Sequence, residues 1–259
     1  MSSPIWTRDA LRSELRAFRG KAWRLVEAQH RVSTLKLVNT LAEQAVLEEL
    51  LEATKPPLPD ACRGLDYLLS TPFRYRPYPH GSRFRRAGFT AGVWYGAERA
   101  ETAVAEMVFY RFLFYAEAPA VPFPDGAADY TGFAVPVATG AALDLTALPL
   151  VNDAAYWTHP TDYGACQALA DAAREAGAGL LRAASARDPK GGANLAILTC
   201  AAFAAKAPTD RQTWRIRVGP NGAQAIREHP AKGIEFGRNV FAADPRLEGM
   251  RWDRPRVGG

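Results

Sequence analysis

From residue 65 onward, short apolar runs alternate with stretches of helical periodicity, and that alternation is what most limits the fold. Strands are expected at 73–77, 92–97, 130–138, 179–184, 194–199, 212–218 and 222–227, with helices at 100–116 and 161–176. Glycine and proline punctuate the gaps, as at Pro119, Pro122, Pro124 and Gly126. Short strands bounded by turn residues and interleaved with helices have to bury their apolar faces against one another. The expected class is α+β or α/β with a largely buried sheet.

The first 60 residues read differently. Thr7 is a candidate cap for a helix over 7–18, with Leu11, Leu15 and Phe18 on one face, and 21–27 reads as a strand. A longer helix follows, with Leu35, Val38, Leu41, Ala45, Leu47 and Leu51 recurring at steps of three and four. Ser33 or Thr34 is its candidate cap, and Pro56-Pro57 stops it. We read 1–60 as a helical extension and 61–259 as the main domain. The long helix is expected to pack on the core, with a dimer or partner contact as its other use. The last residues, RWDRPRVGG, read as frayed.

Composition removes several classes. The three cysteines, Cys62, Cys166 and Cys200, are far apart and form no CxxC, so a disulfide framework and a zinc site are not expected. Reduced thiols suit a cytoplasmic protein. The N-terminal stretch is charged and lacks the apolar centre of a secretion signal. No apolar run reaches membrane-spanning length. The four histidines are scattered, without HExxH, so no metal is expected. A net charge of +5 suits a phosphate-bearing substrate. The basic residues form no continuous helix face, so direct nucleic-acid binding is not expected.

Two stretches carry chemistry. In GSRFRRAGFTAGVWYGAERAETAVAE, Arg83 and Arg85 share parity, so on an extended segment they would form a fork for an anion. Ten residues after Arg85 comes Tyr95, on an expected strand, and eleven further comes Glu106, among Ala103, Val104, Met107 and Val108 on an expected helix. A carboxylate in an apolar face has to be paired or face water. Glu106 is therefore either a site residue or one half of a structural ion pair. The second stretch, LLRAASARDPKGGANLAIL, runs from an apolar strand into Ser185, through a Pro-Gly-Gly loop, to Asn194 and another strand. It contains neither GxxxxGKS/T nor GxSxG, so neither a P-loop nor a hydrolase elbow is indicated.

Together these stretches resemble the RES-domain family, named for its Arg, Glu and Ser. The family's first block reads roughly G-x-R-W-N-x-x-G-x-x-x-L-Y, then A-x-x-E on a helix. Its second is a strand, Ser, an Arg or Asp-Pro, a Gly-rich turn and Asn-Leu. The likeness covers about residues 66–220. Spacing selects Arg85 as the family arginine, whereas the context Gly81-x-Arg83 selects Arg83. Phe84 or Arg86 stands where the family has tryptophan, and the extension at 1–60 is not part of the minimal domain.

The resemblance implies a fold like that of ADP-ribosyltransferases, with a mixed β core and flanking helices. It implies the toxin of a bacterial toxin–antitoxin pair, with an Xre-type helix-turn-helix antitoxin as partner. NAD+ would be a substrate rather than a bound cofactor, cleaved at the nicotinamide–ribose bond with inorganic phosphate or water as acceptor. A protein ADP-ribosyltransferase is the alternative, and a non-enzymatic basic binding module the second. The expected roles are Glu106 stabilising developing positive charge, Arg83 and Arg85 holding phosphates, Tyr95 facing the nicotinamide, and Ser185 and Asn194 orienting the substrate.

Overall fold

In the computed structural model, residues 6–27, 37–74 and 77–254 are described. Helix α1 (Arg8–Ser13) is capped by Thr7, whose side chain accepts from the Ala10 amide, and leads into strand β1 (Arg16–Glu27). Phe18 thus belongs to a strand rather than to the expected helix. Helix α2 (Leu41–Thr54) follows, with a capping box between Thr40 and Glu43. The expected caps Ser33 and Thr34 and the periodic Leu35 lie outside the described residues. Helix α3 (Tyr67–Arg74) stands where a strand at 73–77 was expected. Then come β2 (Trp94–Ala97), α4 (Ala100–Glu117), β3 (Ala128–Asp144), α5 (Gly164–Glu175), β4 (Leu180–Ala184), β5 (Ala193–Ile197), β6 (Asp210–Gly219), β7 (Gly222–Arg227) and β8 (Lys232–Gly237). Strand β8 was not expected from the sequence.

The sheet runs β1-β2-β5-β4-β3-β6-β7-β8, and β1 also pairs with β3. The 17-residue β3 organises it. One edge of β3 pairs antiparallel with β1 from Tyr130 to Ala142. Its other edge takes β6 at Ala128–Ala134 and then β4, in parallel, at Ala142–Asp144. One end of β3 therefore carries β6-β7-β8 and the other carries β4-β5-β2. The architecture is α+β, a mixed sheet core with flanking helices.

The division at residue 60 is corrected by this topology. Strand β1 lies inside the sheet, paired to β3 along nearly its whole length and to β2 at Trp23–Ala97. Leu11 of α1 is fully buried among Leu143, Trp157, Leu169 and Leu181. Only α2 behaves as an extension. None of its residues is buried, because glutamates interrupt its apolar positions all round the helix and leave no clean face. Arg74 ties it down, pairing with Glu52 at 2.5 Å and donating to the Pro56 carbonyl at 2.9 Å. The expectation that this helix packs on the core is not met.

Helices cover both faces of the β4–β5 pair. Leu181, Ala183 and Ala196 face α5, while Leu180, Leu195 and Ile197 face α3 and the buried Trp94. This is the period-two alternation of a strand buried on both sides. Helix α4 packs Val108, Phe109 and Phe112 with Trp214, Ile216 and Phe236 of β6 and β8. The chain end is docked rather than frayed as far as it is described. Trp252 meets Phe112 edge-on at 5.0 Å, and Arg254 donates to the carbonyls of Ala118 and Val121 at 2.8 and 2.7 Å. Among the described residues no helix is long and apolar enough to cross a membrane.

The cysteine expectation is also corrected. Cys62 and Cys200 form a disulfide across 138 residues, and Cys166 is free and buried. Sequence distance hid the pairing, because the turns after β5 and before α3 meet over the same core. Burial raises the Cys166 thiol above its ordinary pKa, against the lowering effect of Arg83, so it is not a reactive thiolate. Thiol titration of the protein unfolded without reductant is expected to find one free thiol, and three after reduction. Reduction should cost about 2–4 kcal/mol of stability by denaturant titration. Three free thiols before reduction would contradict the pairing.

Candidate active site

Helix periodicity puts Thr102, Glu106, Phe109 and Tyr110 on one stripe of α4. That stripe meets the β4–β5 hairpin loop. The hairpin closes with Ala184 opposite Ala193 and a hydrogen bond from the Ser185 amide to the Gly192 carbonyl at 2.8 Å. Two glycines let the loop lie against the helix. Gly191 has φ +66, a region that favours glycine. A Cβ on Gly192 would collide with Thr102 Oγ1 and Asp188 Oδ2.

At the contact, the Glu106 carboxylate takes three donors. Ser185 Oγ donates to Oε1 at 2.7 Å, Asn194 Nδ2 to the same oxygen at 2.5 Å, and Arg187 Nη1 to Oε2 at 2.9 Å. Ser185 Oγ itself accepts from the amides of Arg187 at 3.2 Å and Asp188 at 3.1 Å. Its lone pairs are thereby used, so its proton is committed to the carboxylate. The Glu106 side chain is 18% exposed and that of Arg187 10%, so this is a largely desolvated ion pair. Of the alternatives the sequence left for Glu106, the ion pair is present, with Arg187 as its partner.

Arg187 lies over the rings of Phe109 and Tyr110, at 4.3 and 5.0 Å from their centroids. Its Nη2 donates to Tyr163 Oη at 3.0 Å. Burial is the largest influence and opposes its charge, but the Glu106 carboxylate together with Tyr110 and Tyr163 holds the guanidinium above its ordinary pKa. Tyr110 is raised, mainly by burial, against the pull of Arg187. Its phenol stays protonated.

Arg83 reaches this cluster at one remove. It stacks on the Tyr163 ring at 4.8 Å and donates to the carbonyls of Trp157 and His159 at 2.7 and 2.9 Å, fixing the segment that carries Tyr163. Arg85 is buried elsewhere. It lies over Tyr78 at 4.3 Å and donates to Thr90 Oγ1 and the Thr90 carbonyl at 3.2 and 3.1 Å. The expected fork does not form. Ser82 and Arg85 bond to each other's backbone, so the segment turns instead of extending and sends the two guanidinium groups apart. Tyr95 Oη bonds to Ser82 Oγ at 2.8 Å and accepts from the Phe84 amide at 3.0 Å. Burial raises its pKa. Glu106, Ser185 and Asn194 thus converge, Arg83 supports them through Tyr163, and Arg85 with Tyr95 holds the neighbouring turn.

Sequence reasoning missed Arg187, Tyr163 and Asp188. The signal for Arg187 was present, two residues after Ser185 in the serine block. Nothing local marks Tyr163, which arrives from the start of α5. Asp188 accepts from Thr102 Oγ1 at 2.7 Å, from the Lys190 amide at 2.9 Å and from Arg99 at 3.1 Å. It locks the loop to α4.

A family model described as RES domain matches residues 57–219. No curated protein matches. Among solved structures, the crystal structure of the M. tuberculosis MbcT–MbcA toxin–antitoxin complex is similar over 92% of this chain and 93% of that one. The identity is 14% and the TM-score 0.42.

Burial works against the Asp188 charge, but its donors outweigh burial and set its pKa below the usual 3.8. Its contribution to stability is complete above that value and is lost as pH falls through the lower folded value. Thr102→Val removes the strongest of those donors. It is expected to cost about 1–3 kcal/mol and, by raising the folded pKa towards the usual value, to make the acid loss smaller and complete at higher pH. Urea melts at a series of pH values read both effects, and coincident acid limbs in the two proteins would contradict the assignment.

Proposed function

The chain belongs to the RES-domain family, and on that premise we propose that it cleaves NAD+ at the nicotinamide–ribose bond as the toxin of a toxin–antitoxin pair. One observation carries the reading. Glu106 is a desolvated carboxylate fixed by Ser185, Asn194 and Arg187. When the bond breaks, its electron pair leaves on the pyridine nitrogen, which departs neutral without needing a proton. The ribose carbon becomes oxocarbenium-like. A carboxylate already oriented is the group that stabilises such charge without reorganising. Ser185 and Asn194 spend their hydrogen bonds on Oε1, so Oε2 faces only Arg187 and is the oxygen free to meet a ribose hydroxyl or the developing cation.

Phosphate or water then attacks the ribose carbon, giving ADP-ribose 1″-phosphate or ADP-ribose. Arg187 is the cation best placed to receive an anionic group beside Glu106, and Arg83 and Arg85 are the further candidates for the diphosphate. Tyr95 supports the turn that carries both. A protein side chain as acceptor would use the same carboxylate. The partner on this reading is an Xre-type helix-turn-helix antitoxin, with a homodimer as a further assembly and the cytoplasm as the place of action.

Glu106→Gln keeps the shape and removes the charge. Nicotinamide release from NAD+ should fall by at least about 10²-fold, with the melting curve showing a folded protein. Asn194→Ala should fall between that variant and wild type. Chromatography of the products reads both, and unchanged turnover in folded Glu106→Gln would contradict the role of the carboxylate.

A further inference from the structure

Every residue from Leu37 to Leu68 is described, and Cys62 is the one residue of that stretch that is buried. It is 1% exposed and ends a single 3-10 turn, Asp60–Cys62. Its disulfide partner, Cys200, opens a similar turn, Cys200–Ala202, soon after β5. The rest of 37–62, α2 included, is exposed or half-buried. Arg74 also holds this span, pairing with Glu52 at 2.5 Å and donating to the Pro56 carbonyl at 2.9 Å. The Glu52 side chain is half in water, and an ion pair so placed contributes little. Leu58 packs half-buried on the cluster that contains Cys62 and Cys200.

On either side of this span the chain has anchors of its own. Before it, Glu27 ends β1 within the sheet, opposite Tyr130. After it, the Asp66 amide donates to the Lys206 carbonyl at 2.7 Å, and Trp94 Nε1 donates to the Leu68 carbonyl at 3.0 Å. Leu69 and Phe73 are buried. Buried apolar surface is what resists local opening, and 37–62 has very little. Its deepest attachment is the covalent bond at Cys62. The Glu106 cluster has separate supports, since its partners come from α4, the β4–β5 hairpin and the start of α5.

We propose that the Cys62–Cys200 disulfide is a redox latch for residues 37–62. Oxidised, it fixes α2 to the body. Reduced, it lets this span open while the sheet and the Glu106 cluster stay folded. The cover over the bond is thin. Asp60, Ala61, Arg63 and Gly64 are exposed. The Cys62 amide donates to the Pro59 carbonyl at 2.8 Å and the Arg63 amide to the Asp60 carbonyl at 3.1 Å, and opening this one turn admits a small dithiol. One thiolate of the dithiol attacks a sulfur of the bridge. The S–S bond breaks, leaving a mixed disulfide and one free cysteine. The second thiolate then displaces the other cysteine and closes the reductant's own disulfide. Two electrons pass to the bridge, and the two thiol protons of the reductant end on Cys62 and Cys200. A disulfide oxidant runs the same steps backwards. Small thiols favour the open form, and an oxidising shift closes it. The latch sets whether α2, with Leu41, Val46 and Leu50 exposed, stands in one pose or on a free loop. It does not depend on the NAD+ reading.

The test is hydrogen–deuterium exchange of the full chain, read by mass spectrometry before and after treatment with dithiothreitol. Alkylation and intact mass report when the bridge has opened. After reduction the amides of 41–62 should exchange faster by about tenfold or more, while those of the hairpin at 185–192 keep their rate. Cys200→Ala should show the open pattern without reductant and gain nothing from it. The wild-type comparison stands by itself if that variant does not fold. Equal exchange of 41–62 in the two forms would overturn the latch. So would faster exchange spread through the whole sheet, or a bridge that dithiothreitol opens only in unfolded protein.

Discussion

The ion pair between Glu106 and Arg187 is the interaction on which the rest of the site depends. Taking two charges out of water is costly, and attraction between them offsets that cost only when their remaining hydrogen-bonding capacity is met. Here Ser185 and Asn194 complete one carboxylate oxygen, while Tyr163 and two aromatic rings surround the guanidinium. These partners arrive from three places, the β4–β5 hairpin, α4 and the start of α5. The pair therefore exists only when α4, the β4–β5 hairpin and the start of α5 are docked together. A loosened hairpin would weaken all three donors to a desolvated carboxylate at once, which is a steep penalty for a small movement.

The scaffold supplies that docking by burying β4 and β5 on both faces, so the loop between them leaves a rigid base. Asp188 then fastens the loop to Thr102, and Gly192 permits the approach. On the far side, the segment after β8 brings Arg246 over Phe109 at 5.1 Å, with Asp244 holding it. Phe109 is thus met by two guanidinium groups, one belonging to the carboxylate and one to the chain's last segment. Sequence beyond the family match shapes the surroundings of Arg187 through this contact.

Much of this was legible in the sequence where the signal was local. The periodicity of 100–116 gave α4, and the strands at 92–97, 179–184 and 194–199 lie where the apolar runs put them. Glu106 could be singled out because a carboxylate in an apolar pattern needs a reason, Ser185 by its place between an apolar strand and a glycine-rich loop, and Asn194 through the family resemblance. What failed depended on distant contacts. Parity on an extended segment suggested a fork of Arg83 and Arg85, but a backbone turn at Ser82–Arg85 sends them apart. Strand β1 read as part of an extension, because its pairing with β3 is a relation across more than a hundred residues. Cys62 and Cys200 pair over a similar distance. Tyr163 has no pattern of its own and becomes a site residue only by where α5 begins.

The central claim is that a fixed carboxylate at Glu106 serves the breaking of the nicotinamide–ribose bond. The most direct measurement is to incubate the purified chain with NAD+, with and without inorganic phosphate, and to identify the products by mass spectrometry. The account predicts free nicotinamide together with ADP-ribose 1″-phosphate when phosphate is the acceptor, or ADP-ribose when water is. NAD+ intact under both conditions, with no ADP-ribose transferred to protein, would contradict it and leave the Glu106–Arg187 pair as an element of folding alone.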